Sequence, residues 1–396
     1  MVVAEGQVAA GPVGARRLVE GLEASKIREV ASVGDDFDDI IAFWYGEPDL
    51  PTPDFICRAA AEAMAAGDTF YTPNRGITPL RETLATYLSD LYRRPVTKDR
   101  ITVTASAMAA LNLIQQILID DGDNAVIVGP LWPNLIQNVR TMGGEARIVS
   151  LRPGNDGWSL DLDALFGRVD GRTRAILINS PGNPTGWMMH REQQQAVLDF
   201  CRERGIWLIS DEVYARMVYD RRAAPSLLEL AAPEDRVVVV NSFSKTWCMT
   251  GWRLGWLTAP PALGDTLEKM LEFHHSCVPA FSQQAGIVAI EQGEPFVAET
   301  LARYKRARDI CIDALQAMPR VRVTPPEAAF YAFFAVDGMT DSTETCKDIL
   351  LKTRVGLAPG AAFGAEGEGW IRLCFASTED RLRDGLARLA DYLEKN

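Results

Sequence analysis

Five side chains suited to chemistry, Asn183, Asp211, Tyr214, Lys245 and Arg253, follow three short apolar runs of this 396-residue sequence. The run at 175–178 leads into Ser180-Pro181-Gly182-Asn183-Pro184-Thr185-Gly186, whose prolines and glycines make a turn that aims one amide, Asn183. The run at 206–209 leads into Ser210-Asp211-Glu212-Val213-Tyr214, a carboxylate at the end of the run with a phenol three residues further on. The run at 237–240 leads into Asn241-Ser242-Phe243-Ser244-Lys245 and then Gly251-Trp252-Arg253-Leu254-Gly255. A lysine amine can bond a carbonyl carbon or carry a proton, and a carboxylate can hold a cation. Each piece has a plainer explanation when taken singly: an exposed acidic turn after a strand, a solvated surface lysine, a loop.

Bringing these groups together requires the runs to be neighbouring strands. The runs at 125–128, 175–178, 206–209 and 237–240 lack polar alternation, as strands buried on both faces do. Between the second and third, 191–204 carries Val197, Leu198 and Cys201 at helical spacing, with Gly205 as a stop signal. A strand–helix–strand unit predicts parallel strands, and ligands gather beyond the carboxyl ends of such strands. The expected fold class is α/β: a large domain with a mostly parallel central sheet plus a smaller α+β domain. Helical patterns at 295–318 and 379–394, with a strand-like 329–335 between them, predict the smaller domain, and 16–33 reads as a helix returning to pack on it. The expected boundaries are a flexible tail at 1–14, a segment at 15–46 packing on the small domain, a large domain at 47–290 and a small one at 291–396.

Hydrophobic residues at 47% and charged residues at 24% fit a globular protein. A net charge of −12 leaves no basic surface to track phosphates, which argues against nucleic acid and an anionic membrane as partners. The longest apolar runs have strand length, and the N-terminus lacks a basic region followed by an apolar core, so neither a membrane span nor a secretory signal is predicted. Seven scattered cysteines without a CxxC pair read as reduced thiols of a cytoplasmic protein. His190, His274 and His275 come with no further ligand set, so no metal is expected.

The ordered set of motifs resembles the fold-type I pyridoxal-phosphate (PLP) enzymes, specifically the class I and II aminotransferases related to aspartate aminotransferase. The similarity runs through nearly all of the chain: Gly46-Glu47-Pro48-Asp49, Tyr71-Thr72-Pro73 with Gly76, SPGNPTG, SDEVY, SFSK and Trp370-Ile371-Arg372-Leu373.

The resemblance implies a PLP-transferase fold of type I and a role for each matching residue. Lys245 would bear the cofactor and shuttle a proton, Asp211 would keep its ring nitrogen protonated so that the ring can accept electrons, and Asn183 and Tyr214 would hydrogen-bond its phenolic oxygen. Arg253, Ser242 and the helix start at Ser106-Ala107-Met108 would hold the phosphate, although that loop departs from the usual glycine-containing version. Trp132 would stack on the ring. Tyr71 would reach the phosphate across the interface of a homodimer. Arg372 would grip the substrate α-carboxylate, with Asn183 and the backbone near Gly46 beside it.

The expected activity is transfer of an amino group from an L-amino acid to a 2-oxo acid, 2-oxoglutarate foremost, in a ping-pong cycle. The same cradle could instead support a PLP-dependent lyase or decarboxylase. A non-catalytic regulatory module is a remoter alternative, since no basic helix-turn-helix pattern precedes Gly46. Met108 stands where some aspartate-selective relatives present a lysine, so a neutral or aromatic donor is expected, aided by Trp44 and Tyr45. An arginine from a neighbouring subunit would restore the lost charge and with it aspartate.

Overall fold

The computed structural model describes residues 14–154 and 157–395. The expected flexible tail lies outside them except for its last residue, Gly14. Seven strands form the main sheet: β1 (Ile101–Thr104), β2 (Asn124–Gly129), β3 (Glu145–Ser150), β4 (Thr173–Asn179), β5 (Trp207–Asp211), β6 (Val237–Ser242) and β7 (Gly255–Thr258). Their spatial order is β1-β7-β6-β5-β4-β2-β3. The pairs β3–β2, β2–β4, β4–β5 and β5–β6 are parallel, while β7 runs antiparallel to both its neighbours.

The four apolar runs supply the centre of this sheet. Val237, Val238, Val239 and Val240 are all buried, and β-branched side chains fill a pleated surface covered on both faces. Each buried valine contributes about 1.5–3 kcal/mol. Helix α1 (Ala107–Leu118) follows β1, and α2 (Arg191–Arg204) joins β4 to β5, burying Val197, Leu198 and Cys201 and stopping at Gly205. A single turn, α3 (Phe243–Thr246), follows β6. Because β4, β5 and β6 point the same way, their ends lie side by side, with Asn179 paired in register to Asp211.

Helix α4 (Glu294–Gln316) leads to a second sheet of β8 (Val321–Val323), β9 (Tyr331–Val336), β10 (Ala358–Pro359) and β11 (Trp370–Cys374), in the order β8-β9-β11-β10 and antiparallel throughout. The chain ends in α5 (Glu379–Lys395), which buries Leu382, Leu386, Leu389 and Leu393 along one stripe. Buried residues of the two sheets, Val237 and Val239 of one and Tyr331 and Phe333 of the other, belong to one core.

Two expected elements differ. The single helix at 16–33 is two short ones, Arg17–Glu20 and Lys26–Ser32, because the Ser25 hydroxyl accepts the Arg28 N–H and starts a new helix. Leu18 and Val19 of the first piece are left exposed. The strand expected from 329 starts at Tyr331, since Ala329 sits at a φ of 60°, in the left-handed region. Ile41–Ala42 pairs in parallel with Val355–Gly356, and Lys347 forms an ion pair with Glu29 at 2.6 Å. Among the described residues no helix is long and apolar enough to cross a membrane.

Candidate active site

The ends of β4, β5 and β6, the start of α1 and the middle of β11 enclose a cavity of about 210 Å3. Asp211, the last residue of β5, borders it and accepts the Val213 N–H at 3.3 Å. Burial pushes its carboxyl up to about 7, against the pull of that N–H and of the Lys245 charge. Lys245, carried on α3, donates from Nζ to the Gly46 carbonyl at 2.6 Å, and burial pushes its ammonium down to about 8.

The SPGNPTG turn is held from below. Asn179 donates from Nδ2 to the Asp211 carbonyl at 3.2 Å and accepts the Asn183 N–H at 2.8 Å on Oδ1. That leaves the Asn183 side chain facing the cavity, where its Oδ1 accepts Arg372 Nη1 at 3.0 Å. Arg372 is fully buried, donates from Nη2 to the Trp44 carbonyl, and has no partner for Nε among the described residues. A buried guanidinium with an orphaned N–H is a binding group awaiting an anion.

A second anion site lies at the start of α1. The Ser106 hydroxyl caps the helix by accepting the Ala109 N–H at 3.0 Å, while the N–H groups of Ala107 and Met108 belong to the first turn, which has no acceptors of its own. Arg253 borders the same cavity and makes no ion pair among the described residues. Gly255 permits β7 to pass beneath: a Cβ there would stand 2.6 Å from the Ala107 nitrogen. Ser242 accepts the Ser244 N–H at 3.1 Å and donates to Ser244 Oγ at 2.9 Å, and both serines line the cavity.

The Tyr214 hydroxyl meets that of Tyr331 at 2.6 Å. Trp132 lines the cavity and also the wider adjoining cleft of about 760 Å3, into which Tyr45 projects. All the expected site residues therefore converge except Tyr71, which is 93% exposed and borders no part of this cavity within the single chain.

A lysine amine, a carboxylate, a phenol with an amide, an aromatic face and two anion sites around one cavity match the donor set of a phosphorylated pyridine aldehyde. The family model for "Aminotransferase class I and II" matches residues 38–389. The chain belongs to this family. This aminotransferase is 33% identical over 356 residues to the aspartate aminotransferase of Thermotoga maritima, covering 90% of this chain and 92% of that protein. It is 31% identical over 385 residues to the aromatic-amino-acid aminotransferase 2 of Thermococcus litoralis, covering 95% and 97%. A crystal structure of the Thermotoga maritima aspartate aminotransferase superimposes with a TM-score of 0.89 at 32% identity, over 96% of this chain and 100% of that one. The fold is PLP-transferase type I, and the cofactor of this transaminase is pyridoxal 5′-phosphate, whose bound ring supplies an electron sink next to the substrate Cα.

Two features escaped the sequence reading. Asn179 carried a signal, a polar residue ending an apolar run in the manner of Asp211 and Ser242. Tyr331 carried none, because it sits inside the apolar stretch of β9 and reads as core.

Proposed function

We propose that this aminotransferase takes the amino group of a neutral or aromatic L-amino acid and passes it to 2-oxoglutarate in two half-reactions at one site. What supports the reading most is that Asp211 from the end of β5, Lys245 from the turn α3 after β6 and Arg372 from a strand of the small sheet border the same cavity. In it, the Arg372 guanidinium receives the substrate carboxylate on Nε and one Nη, with Asn183 orienting it. Lys245, eased toward its neutral form by burial, exchanges the Gly46 carbonyl for the substrate and moves the proton at Cα. With the cofactor bound, Asp211 would hold the ring-nitrogen proton, Asn183 and Tyr214 would donate to the phenolic oxygen, and Trp132 would stack on the ring. Arg253, Ser242 and the N–H groups of Ala107 and Met108 would hold the phosphate. Met108, uncharged, and the aromatic Trp44 and Tyr45 favour a donor without a distal charge.

The working unit is a homodimer in which Tyr71 enters the partner's site. Tyr71, Phe70 and Phe273 are 93%, 84% and 89% exposed, and the loop of the first two is joined to the helix Gly264–His274 that carries Phe273 by Asn74 Nδ2 donating to Glu272 Oε2 at 2.7 Å. The chain divides into a large domain at 47–290 and a small one at 291–396, with 15–46 packed on the latter.

The test is an absorbance spectrum of the holoenzyme with single amino acids, followed by initial rates on a donor panel with 2-oxoglutarate. Tyrosine, phenylalanine or leucine should bleach the cofactor band and 2-oxoglutarate restore it. Pyruvate released with ammonia would indicate a lyase instead. The second reading, an aspartate donor, draws on Arg28 and Arg140, which line the wider cleft without an ion-pair partner among the described residues. Aspartate turned over far faster than every other donor would establish it and overturn the first.

A further inference from the structure

Tyr331 is a fully buried hydroxyl with no part in the reading above. Its oxygen lies 2.6 Å from that of Tyr214, 117 residues away in sequence, and its ring carries the Arg372 guanidinium at 4.6 Å from the ring centre. Space is made for it at Gly46, where a Cβ would come within 2.2 Å of the Tyr331 oxygen. One side chain thus touches both the group that grips the carboxylate and the group beside the phenolic oxygen.

We infer that Tyr331 is a positioning residue that donates its hydroxyl proton to Tyr214 and so turns Tyr214 into a committed, strengthened donor toward the cofactor's phenolic oxygen. The inference rests on the role given to Tyr214 above. Two facing hydroxyls share one bond, and only one proton can lie between them. If Tyr214 supplied it, Tyr214 would have nothing to donate into the cavity; with Tyr331 as donor, the Tyr214 proton is free to point there. Burial raises both phenols well above their ordinary range, so both keep their protons at working pH. A donor to the Tyr214 oxygen polarises its O–H, because hydrogen bonds in series strengthen one another by about 10–30%. The Arg372 cation over the Tyr331 ring acts in the same sense by making that hydroxyl a better donor. The chain Arg372–Tyr331–Tyr214 therefore links the carboxylate grip to the electronic state of the cofactor.

The experiment uses holoenzyme variants and reads the pH midpoint of the cofactor's visible absorption change. Y331F should raise the midpoint by roughly 0.3–0.6 of a pH unit, since a weaker donor leaves the phenolic oxygen more basic, with KM for amino donors changed less than about twofold. Y331L, which also removes the ring under Arg372, should shift the midpoint likewise and raise KM by roughly 5- to 30-fold. Y214F should shift it further in the same direction, and the double variant Y214F/Y331F should match Y214F alone. A Y331F midpoint within about 0.1 of the wild type, or shifts that add in the double variant, overturns the role of Tyr331. No shift in Y214F removes the Tyr214 assignment beneath it, a separate failure, and the inference with it.

Discussion

Asp211 and Glu212 are adjacent carboxyls at the end of one strand, both buried, and burial pushes each up to about 7, yet they face two different worlds. Asp211 opens on a cavity of about 210 Å3 that also holds Lys245, Arg253 and Arg372. Glu212 turns to the other side, where the Ser210 hydroxyl and the Leu227 N–H satisfy its Oε1 at 3.0 and 3.2 Å, and the space left among Tyr87, Trp247 and Trp256 is about 10 Å3. A buried carboxyl with a raised proton affinity is thus not by itself a sign of catalysis. Room for a ligand and cations facing it make the difference, and alternation along a strand is enough to separate the two.

The sharpest way to break this comparison is to neutralise each carboxyl in turn. Asp211→Asn should lower kcat by about 10³-fold, because nothing then stabilises a protonated ring nitrogen, whereas Glu212→Gln should stay within about threefold of wild type. Steady-state rates on one donor decide it, and equal losses would erase the distinction.

Stability should treat the two alike. A carboxyl that holds its proton more tightly when folded contributes stability that is full below its unfolded pKa, 3.8 for Asp211 and 4.5 for Glu212, and lost as pH rises through about 7. The apoprotein should therefore lose on the order of a few kcal/mol per group between pH 4 and 8, and either amide variant should flatten that slope. Urea unfolding of apoprotein across this range is the measurement.

Within the front cavity, Arg372→Leu should raise KM for every amino donor by roughly 10- to 100-fold, the size of a lost charged hydrogen-bonded pair, while spectra still show bound cofactor. The smallest effect belongs to Trp132→Leu. Loss of ring stacking worth about 0.5–1.5 kcal/mol should weaken cofactor affinity by roughly 2- to 12-fold, read by titrating apoprotein. A similar loss from Trp256→Leu, at the rear pocket, would show that general loss of packing and not the stacking ring is responsible.

Much of this was legible in the sequence. The runs at 125–128, 175–178, 206–209 and 237–240 fall on β2, β4, the start of β5 and β6, and Asn183, Asp211, Tyr214 and Lys245 beyond the last three border the cavity. The helix at 16–33 misled because its apolar spacing continues through Gly21, while the competing cap at Ser25 is a matter of one hydroxyl.

Local chemistry alone determined the parallel core, the turn at Asn183 and the strand-end carboxylate, since apolar runs, prolines and glycines act on their own neighbours. Only the tertiary structure decided that Lys245 reaches Gly46 across 199 residues, that Arg372 meets Asn183 across 189, and that Tyr331 touches Tyr214. Such contacts depend on how the small sheet sits over the large one, a geometry set by the packing of the whole core and written in no single stretch of chain.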